Sequence, residues 1–155
     1  MKKITLILAL ALVSVSLPAA IISEGEVSTE KLISLISAYY PETEKADDGV
    51  ILIDPEWTAI TLYLDTDNRT IMLFCYWLLD ENTSAEDAIL AANEWNKGNM
   101  IPTAYYDESD HSMNASWAFT WSDDGLLSGL LIDSVHWMDD ATVILADFLS
   151  EKALI

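Results

Sequence analysis

Residues 91–107 read Ala-Ala-Asn-Glu-Trp-Asn-Lys-Gly-Asn-Met-Ile-Pro-Thr-Ala-Tyr-Tyr-Asp and join a predicted helix to a predicted strand. Trp95 follows Ala88 by seven residues and Ile89 by six, which places its indole near their apolar face of the helix. We therefore expect Trp95 to pack this helix onto a sheet. Gly98 is a natural left-handed stop for the helix.

Two asparagines lie beside this tryptophan, at Asn93 and Asn96. Short amide side chains favour helix ends because they bond backbone groups that the helix leaves without a partner. We expect Asn93 and Asn96 to bond carbonyl groups at the helix end or at the start of the next strand. A recognition role at this exposed corner is the alternative interpretation.

The chain after this stretch predicts a second strand and a long helix. Residues 107–110 are typical of a turn, and residues 113–121 alternate between apolar and small or polar side chains, as a strand does. Asp123-Asp124-Gly125 ends that strand. From residue 126 to about residue 149, apolar side chains recur at helical spacing.

The chain before this stretch predicts two helices and three strands. Ser28 and Ser84 are expected N-caps, and Pro41 ends the first helix. Residues 42–49 are polar and acidic and are expected to form a loop. Strands are expected at 50–53, 57–64 and 70–79. The last of these is apolar almost throughout, which favours a central strand covered on both faces.

The predicted element order is therefore α-β-β-β-α-β-β-α. Three helices packed against an antiparallel five-stranded sheet make an α+β domain. Residues 21–155 contain no linker, low-complexity tract or repeat beyond the hairpins, so we expect a single domain there.

The stretch 91–107, together with the strand and long helix that follow it, resembles the YbjN family of bacterial proteins. That family carries an Asn-x-Trp-Asn run at the end of its second helix. The resemblance extends over roughly residues 28–150 and implies the fold of type III secretion chaperones, which are small acidic α+β domains often found as homodimers. It also implies a sensory or regulatory role rather than an enzymatic one.

The composition excludes several classes of protein. The 155 residues include 26 Asp or Glu and 7 Lys or Arg, a formal charge of −19. Such a chain repels a nucleic acid instead of attracting it. One cysteine, Cys75, cannot form an internal disulfide framework, although it could link two chains. An apolar content of 52% with six tryptophans is too high for a disordered chain.

The first 20 residues are typical of a secretory signal peptide. Lys2 and Lys3 precede a nearly continuous apolar run over 4–17, and small residues follow. Cleavage after Ser16, Ala19 or Ala20 is possible, and an uncleaved membrane anchor is the alternative because 4–22 approaches the ~20 residues that span a bilayer. We expect a periplasmic or secreted protein, or else one anchored in the inner membrane.

The histidines are the candidates for chemistry. His111 lies in an acidic turn beside Asp110. His136 lies three residues after Asp133 and four before Asp140, on one helical face, where the three side chains could hold a divalent ion. Both patterns are more typical of exposed polar residues, so we assign no catalytic residue, metal or cofactor.

The aromatic residues are the better candidates for binding. Most of the six tryptophans must lie in the core, but a sheet face left partly open would bind a partner or a second copy of the chain. The candidate binding residues are Asn93, Trp95, Asn96, Trp117, Trp121 and Trp137.

The predicted function is that of a non-enzymatic, exported protein-binding module. An apolar patch from the sheet or the last helix would bind an unidentified protein, and the helix at 126–150 would form a possible homodimer. Neither nucleic acid nor, once the leader is cleaved, a membrane is an expected partner. The alternative is a small periplasmic metal-binding protein or hydrolase that uses His136, Asp133 and Asp140.

Overall fold

The computed structural model describes residues 20–53 and 59–155. The predicted leader at 1–20 therefore lies outside the described residues except for Ala20. The first two residues of the predicted strand 57–64, including Trp57, also lie outside them. No helix in the described part of the chain is long and apolar enough to cross a bilayer.

Three helices begin and end close to their predicted bounds: α1 at Thr29–Ile36, α2 at Ala85–Gly98 and α3 at Ser128–Glu151. Both predicted caps are confirmed. The Ser28 hydroxyl accepts a hydrogen bond from the Lys31 N–H at 3.3 Å, and the Ser84 hydroxyl accepts one from the Asp87 N–H at 3.1 Å. These bonds satisfy donors that the first helical turn leaves without a partner.

Eight strands are present in the described residues. Their bounds are β1 Ile21–Ile22, β2 Glu44–Asp47, β3 Val50–Ile53, β4 Ile60–Asp65, β5 Thr70–Leu78, β6 Thr103–Asp107, β7 Ser112–Thr120 and β8 Leu126–Leu127. Six of them form one antiparallel sheet in the order β2-β3-β4-β5-β7-β6. The remaining two, β1 and β8, pair with each other.

The predicted loop at 42–49 is wrong, because Glu44–Asp47 forms an edge strand. Its four side chains are all exposed, so they show no apolar alternation that sequence reasoning could detect. The strand forms because β3 offers a backbone partner, with Glu44 opposite Leu52. The sheet therefore has six strands instead of five. Leu126 and Leu127, predicted to begin the last helix, belong to β8.

One face of the sheet forms the core. The side chains that alternate toward the helices are buried, among them Ile51, Ile60, Leu62, Ile71, Leu73, Cys75, Met113 and Ala115. They pack with Leu32 and Ile36 of α1, Ala88 and Trp95 of α2, and Leu131, Val135, Met138 and Leu145 of α3.

The opposite face of the sheet is largely open, so the prediction that strand 70–79 is covered on both faces is wrong. Ile71, Leu73 and Cys75 are buried, whereas Met72, Tyr76 and Leu78 are exposed. The described helices pack on the buried side. An apolar pattern alone cannot distinguish a strand between two layers from a strand with one bare apolar face.

Candidate protein-binding surfaces

The corner between α2 and β6 is built by residues 91–107. The Trp95 indole is 4% exposed, donates a hydrogen bond to the Pro102 carbonyl at 3.0 Å and meets the Phe148 ring edge-on at 5.8 Å. The prediction that Trp95 packs the helix onto the sheet is confirmed. A side chain with so little free surface stabilises this corner and offers almost nothing to a partner.

Asn96 pairs with the outer edge of β6. Its side-chain nitrogen donates to the Ala104 carbonyl at 2.8 Å, and its side-chain oxygen accepts from the Ala104 N–H at 2.9 Å. The predicted bond to the start of the next strand is therefore present. Asn93 lies exposed on α2, one turn from Asn96, and no hydrogen bond involves its side chain in the described residues.

Trp117 and Trp137 form a stacked pair between β7 and α3. Their ring centroids lie 5.3 Å apart with an interplanar angle of 25°. Trp117 is half-buried, but Trp137 is 50% exposed. Ile101 lines the same small pocket, which Pro102 and Met138 complete. The candidate residue Trp137 is thus the tryptophan in the described residues that shows the most surface to a partner.

The exposed apolar surface continues along α3 from Trp137. Ile144 lies seven residues after Trp137, about two turns further along the same side of α3. It is 58% exposed and lines an open cleft with Phe148. Met100 precedes Ile101 and is 95% exposed. We call this the Trp137 surface, and it consists of Met100, Ile101, Trp137, Ile144 and Phe148.

Trp121 lies in the core at the end of β7, at 7% exposure. Its indole N–H is buried and has no hydrogen-bond partner among the residues that the structure describes. Like Trp95, it contributes to packing and offers little contact area.

The bare side of the sheet is a second surface. The sequence analysis considers a partly open sheet face but does not identify the residues that form it. Strand register places on it alternate residues of each strand. Leu52, Phe74 and Ser116 are half-buried, and the more exposed side chains are Tyr63, Met72, Tyr76, Leu78, Tyr105 and Ala118. We call these nine residues, with Ser112 and Asn114, the open face.

Two buried polar residues, Ser112 and Asn114, lie at the base of the open face. Asn114 is 2% exposed although it points to this side, and its side-chain nitrogen donates to the Ser112 hydroxyl at 2.8 Å. The register places Tyr76 opposite Asn114 on β5 and Tyr105 opposite it on β6. Burial raises the pKa of Tyr105, and the charges of Asp107 and Asp110 and the nearby hydroxyl of Tyr63 raise it further.

The acidic turn at 107–110 does not present His111 for catalysis. The Tyr106 hydroxyl lies 2.9 Å from one ring nitrogen of His111, and the Asp80 carbonyl lies 3.0 Å from the other. The backbone of His111 is left-handed, with φ of 57°. Both ring nitrogens are thus used to tie this turn to the end of β5.

The alternative metal face on α3 does not converge. No group of three His, Cys, Asp or Glu side chains in residues 20–53 and 59–155 is placed to hold a metal ion. His136 instead packs against Tyr39 and Tyr40, with ring centroids 5.5 and 5.7 Å away. The neighbouring Asp139 accepts a hydrogen bond from the Tyr40 hydroxyl at 3.2 Å. The alternative based on His136, Asp133 and Asp140 has no geometric support.

The cysteine is enclosed by the sheet. Cys75 is 1% exposed and unpaired, and burial raises the pKa of its thiol to about 12. A thiol in this position is a poor nucleophile and is inaccessible to a second chain. The interpretation that it links two chains is therefore not supported.

Sequence and structure comparisons identify relatives of the chain. The family model of YbjN, described as "Putative bacterial sensory transduction regulator", matches residues 21–149. No curated protein matches the chain significantly. The crystal structure of YbjN from E. coli, titled "a putative transcription regulator", is similar with a TM-score of 0.65 at 8% identity, over 81% of this chain and 93% of that one.

Two further solved structures match the chain. The ExsC-ExsE complex matches with a TM-score of 0.52 at 15% identity, over 81% of this chain and 96% of that one. The HopA1-SchA chaperone-effector complex matches with a TM-score of 0.49 at 16% identity, over 70% and 88%. The predicted α+β class and its chaperone-like architecture are confirmed.

Proposed function

The chain belongs to the YbjN family, and from that premise we propose that it is a non-enzymatic, exported regulatory protein that acts by binding another protein. The observation that carries the proposal is the Trp137 surface. Apolar side chains on a soluble domain mark interaction sites when they form a connected patch, because their burial against a partner is favourable.

The geometry of this surface suits a partner chain. Trp137 stacks on Trp117, so its ring is held in one orientation before a partner arrives, which reduces the entropy lost on binding. Tryptophan is among the residues enriched at the energetic centres of interfaces. Three carboxylates, of Glu94, Asp147 and Glu151, line the cleft at Ile144. They outnumber the one cation that the described residues place there, Lys152, which pairs with Glu94 at 2.7 Å and lies 4.8 Å from the centroid of the Phe148 ring. Their charge disfavours anionic competitors.

A second copy of the chain is the first partner to test, since α3 carries most of the Trp137 surface. We expect concentration-dependent dimerisation in sedimentation experiments on the purified chain. Trp137→Gln should weaken the dimer by about tenfold or more, as for a central interface residue. Leu90→Gln is the matched control, because Leu90 is at least as exposed, at 58% against 50% for Trp137, but lies on α2 outside the surface.

Two outcomes would contradict dimerisation through the Trp137 surface. A chain that stays monomeric at every concentration tested excludes self-association. A dimer that Trp137→Gln and Leu90→Gln weaken equally, or not at all, shows that the Trp137 surface does not form the contact. Either result excludes a dimer formed through the Trp137 surface.

Export is the second component of the proposal, and it rests on the leader-like residues 1–20. The family match begins at residue 21, directly after that segment. Fractionation of expressing bacteria tests it. An exported protein is released with the periplasm or the medium, whereas an anchored protein stays with the membranes after a salt wash. Recovery in the cytoplasm at full length would contradict export.

A further inference from the structure

The open face is separate from the Trp137 surface, since the two lie on opposite sides of the sheet. Trp117 alternates toward the core side of β7, and Ser116 and Ala118 toward the bare side. Any ligand of the open face therefore leaves Trp137 free. The open face is thus a second candidate surface. A ligand could bind there whether or not the Trp137 surface is occupied.

The charges on the bare side of the sheet are all negative. Register and alternation place Glu44 and Asp47 of β2, Asp65 of β4 and Asp107 of β6 on this side, at the margins of the apolar residues. All the open-face positions of the six strands lie in the described residues, and none is Lys or Arg.

Lys45 and Arg69 are paired with carboxylates away from the bare side, and Lys97, which lines a cleft with Thr103 at the edge of β6, forms no ion pair in the described residues. Lys45 alternates to the core side, where its ammonium group bonds Glu30 at 3.1 Å and Asp48 at 2.6 Å. Arg69 lies in the turn after β4 and pairs with Glu24 at 2.5 Å and with Asp123. The carboxylates on the bare side therefore have no basic partner on the same side of the sheet.

The two outer strands are poorly suited to extend the sheet with an added strand. Asn96 occupies both outward-facing groups of Ala104 on β6, as a neighbouring strand would. At the other edge, β2 has four residues, three of them charged, and an irregular register between Lys45 and Asp47. Short, charged and irregular edges oppose strand addition.

A ligand for this face must therefore satisfy its own backbone, and a helix does so. A helix laid on a bare apolar sheet face also completes the layer arrangement that stabilises α+β proteins. Tyr76 and Tyr105 offer aromatic faces to a cation, and the Asn114 side-chain oxygen accepts no hydrogen bond from the described residues. These groups suit a Lys or Arg side chain beside an apolar stripe.

From these observations we infer that the open face binds an amphipathic helix of a partner protein whose apolar stripe is bordered by Lys or Arg. A second copy of this chain is a poor ligand, since it would set like charges against each other. An anionic helix is excluded on the same ground.

The test uses model helices of leucine and lysine, labelled with a dye, and the purified full chain. The first peptide places leucine along one helical stripe with lysine elsewhere. The second has the same stripe with glutamate in place of lysine, and the third scrambles the first so that no stripe remains. Fluorescence anisotropy reports binding, and only the first peptide should bind, with an affinity that falls as salt is added.

Three protein variants locate the site. Tyr76→Ser should lower the affinity for the first peptide by about tenfold, as expected for a central aromatic contact. Glu44→Gln with Asp47→Asn should lower both the affinity and its dependence on salt. Ile144→Ser, on the Trp137 surface, is the control and should bind as the unaltered chain does. Melting temperatures confirm that each variant is folded.

Several outcomes would overturn the inference. They are absence of binding, equal binding of the lysine and glutamate peptides, equal binding of the scrambled peptide, and an unaltered affinity of Tyr76→Ser. Loss of binding in Ile144→Ser would assign the helix to the Trp137 surface. None of these results bears on dimerisation, which Trp137→Gln tests separately, so the two proposals fail independently.

Discussion

The Asn96 carboxamide is hydrogen bonded to both backbone groups of Ala104, at 2.8 and 2.9 Å. One side chain thereby replaces one residue of a missing neighbouring strand. The helix end and the strand start are thereby joined at two points, because the Trp95 indole donates to the Pro102 carbonyl and Asn96 bonds Ala104 two residues later.

Asn96→Ala should reduce the free energy of unfolding by about 1–3 kcal/mol, since it leaves two backbone groups of Ala104 without their partner. Asn93→Ala is the matched control. Asn93 is exposed on the same helix, and its loss should change stability by no more than about 0.5 kcal/mol. Urea denaturation of the two variants measures the difference. Equal stabilities would show that water replaces the carboxamide without cost.

Trp121→Phe should leave the protein as stable as the unaltered chain or make it more stable. The phenyl ring keeps most of the buried apolar area, and the substitution removes an indole N–H that lacks a partner, which costs about 1–3 kcal/mol when buried. Trp121→Ala should instead lose about 3–5 kcal/mol. A loss of more than about 2 kcal/mol in Trp121→Phe would show that the N–H has a partner.

The sequence predicts those parts of the fold that depend on local chemistry. Ser28 and Ser84 cap their helices as expected, and the expected strand at 57–64 is present as β4, in which Ile60 and Leu62 are buried and Tyr63 is exposed. These features follow from backbone groups and side chains within a few residues of each other.

The features that sequence reasoning missed depend on distant partners. Strand β2 consists of three charged residues and one alanine, all exposed, and exists because β3 is available to pair with it. Strand β5 is apolar on both faces, but whether a layer covers the second face depends on how many helices the chain supplies and where they pack. The sequence pattern ranks Trp137 no higher than the other five candidate residues, and only its exposure distinguishes it as a contact residue.

Gly125→Ala should destabilise the domain strongly, by more than about 2 kcal/mol. Gly125 has φ of +115°, and an added Cβ would lie 2.1 Å from the Ile22 carbonyl oxygen. Gly98→Ala is the opposite case. The predicted left-handed stop at Gly98 is wrong, because Gly98 is the last residue of α2 and its φ is not positive, and a Cβ there meets nothing within 4 Å. The variant should gain about 0.4–1 kcal/mol by restricting the unfolded chain. Thermal melts of both variants test this contrast. A similar change in melting temperature for Gly125→Ala and Gly98→Ala would contradict it.

Asp139→Asn should stabilise the protein at neutral pH, and the gain should shrink as the solution is acidified. Burial raises the pKa of Asp139, and the charge of Asp140 adds to the rise, although the Tyr40 hydroxyl and His136 oppose it. The folded state therefore holds this proton more tightly than the unfolded state. Protonated Asp139 therefore stabilises the folded protein below the pKa that this group has in the unfolded chain. This stabilisation is lost as pH rises through the pKa that the group has in the folded protein.

Denaturation of Asp139→Asn and the unaltered chain between about pH 4 and pH 7 measures this change, in the range above the ordinary aspartate value. Asp133→Asn removes the same formal charge from an exposed position on α3 and controls for the net charge. The free energies of unfolding of Asp139→Asn and the unaltered chain could instead differ by the same amount at every pH. That result would show that Asp139 has the same pKa in the folded and unfolded states.

Removal of β1 should destabilise the domain, so the processed N-terminus is predicted to lie at or before Ile21. Ile22 is 3% exposed, β1 pairs with Leu126 and Leu127, and the Ala20 carbonyl accepts a hydrogen bond from the Ser128 N–H at 2.9 Å. A chain that begins at Glu24 should lose at least about 2 kcal/mol relative to one that begins at Ala20, from the burial of Ile22 alone.

Point variants separate the side chain from the strand. Ile22→Ser should reproduce most of the loss, whereas Ile21→Ser should change little because Ile21 is 57% exposed. Mass spectrometry of the protein recovered from expressing bacteria then locates any cleavage. Cuts after Ser16, Ala19 or Ala20 all keep the pairing of β1 with β8, and each agrees with the prediction. A mature N-terminus beyond Ile22 on a protein of undiminished stability would show that the domain does not need this strand.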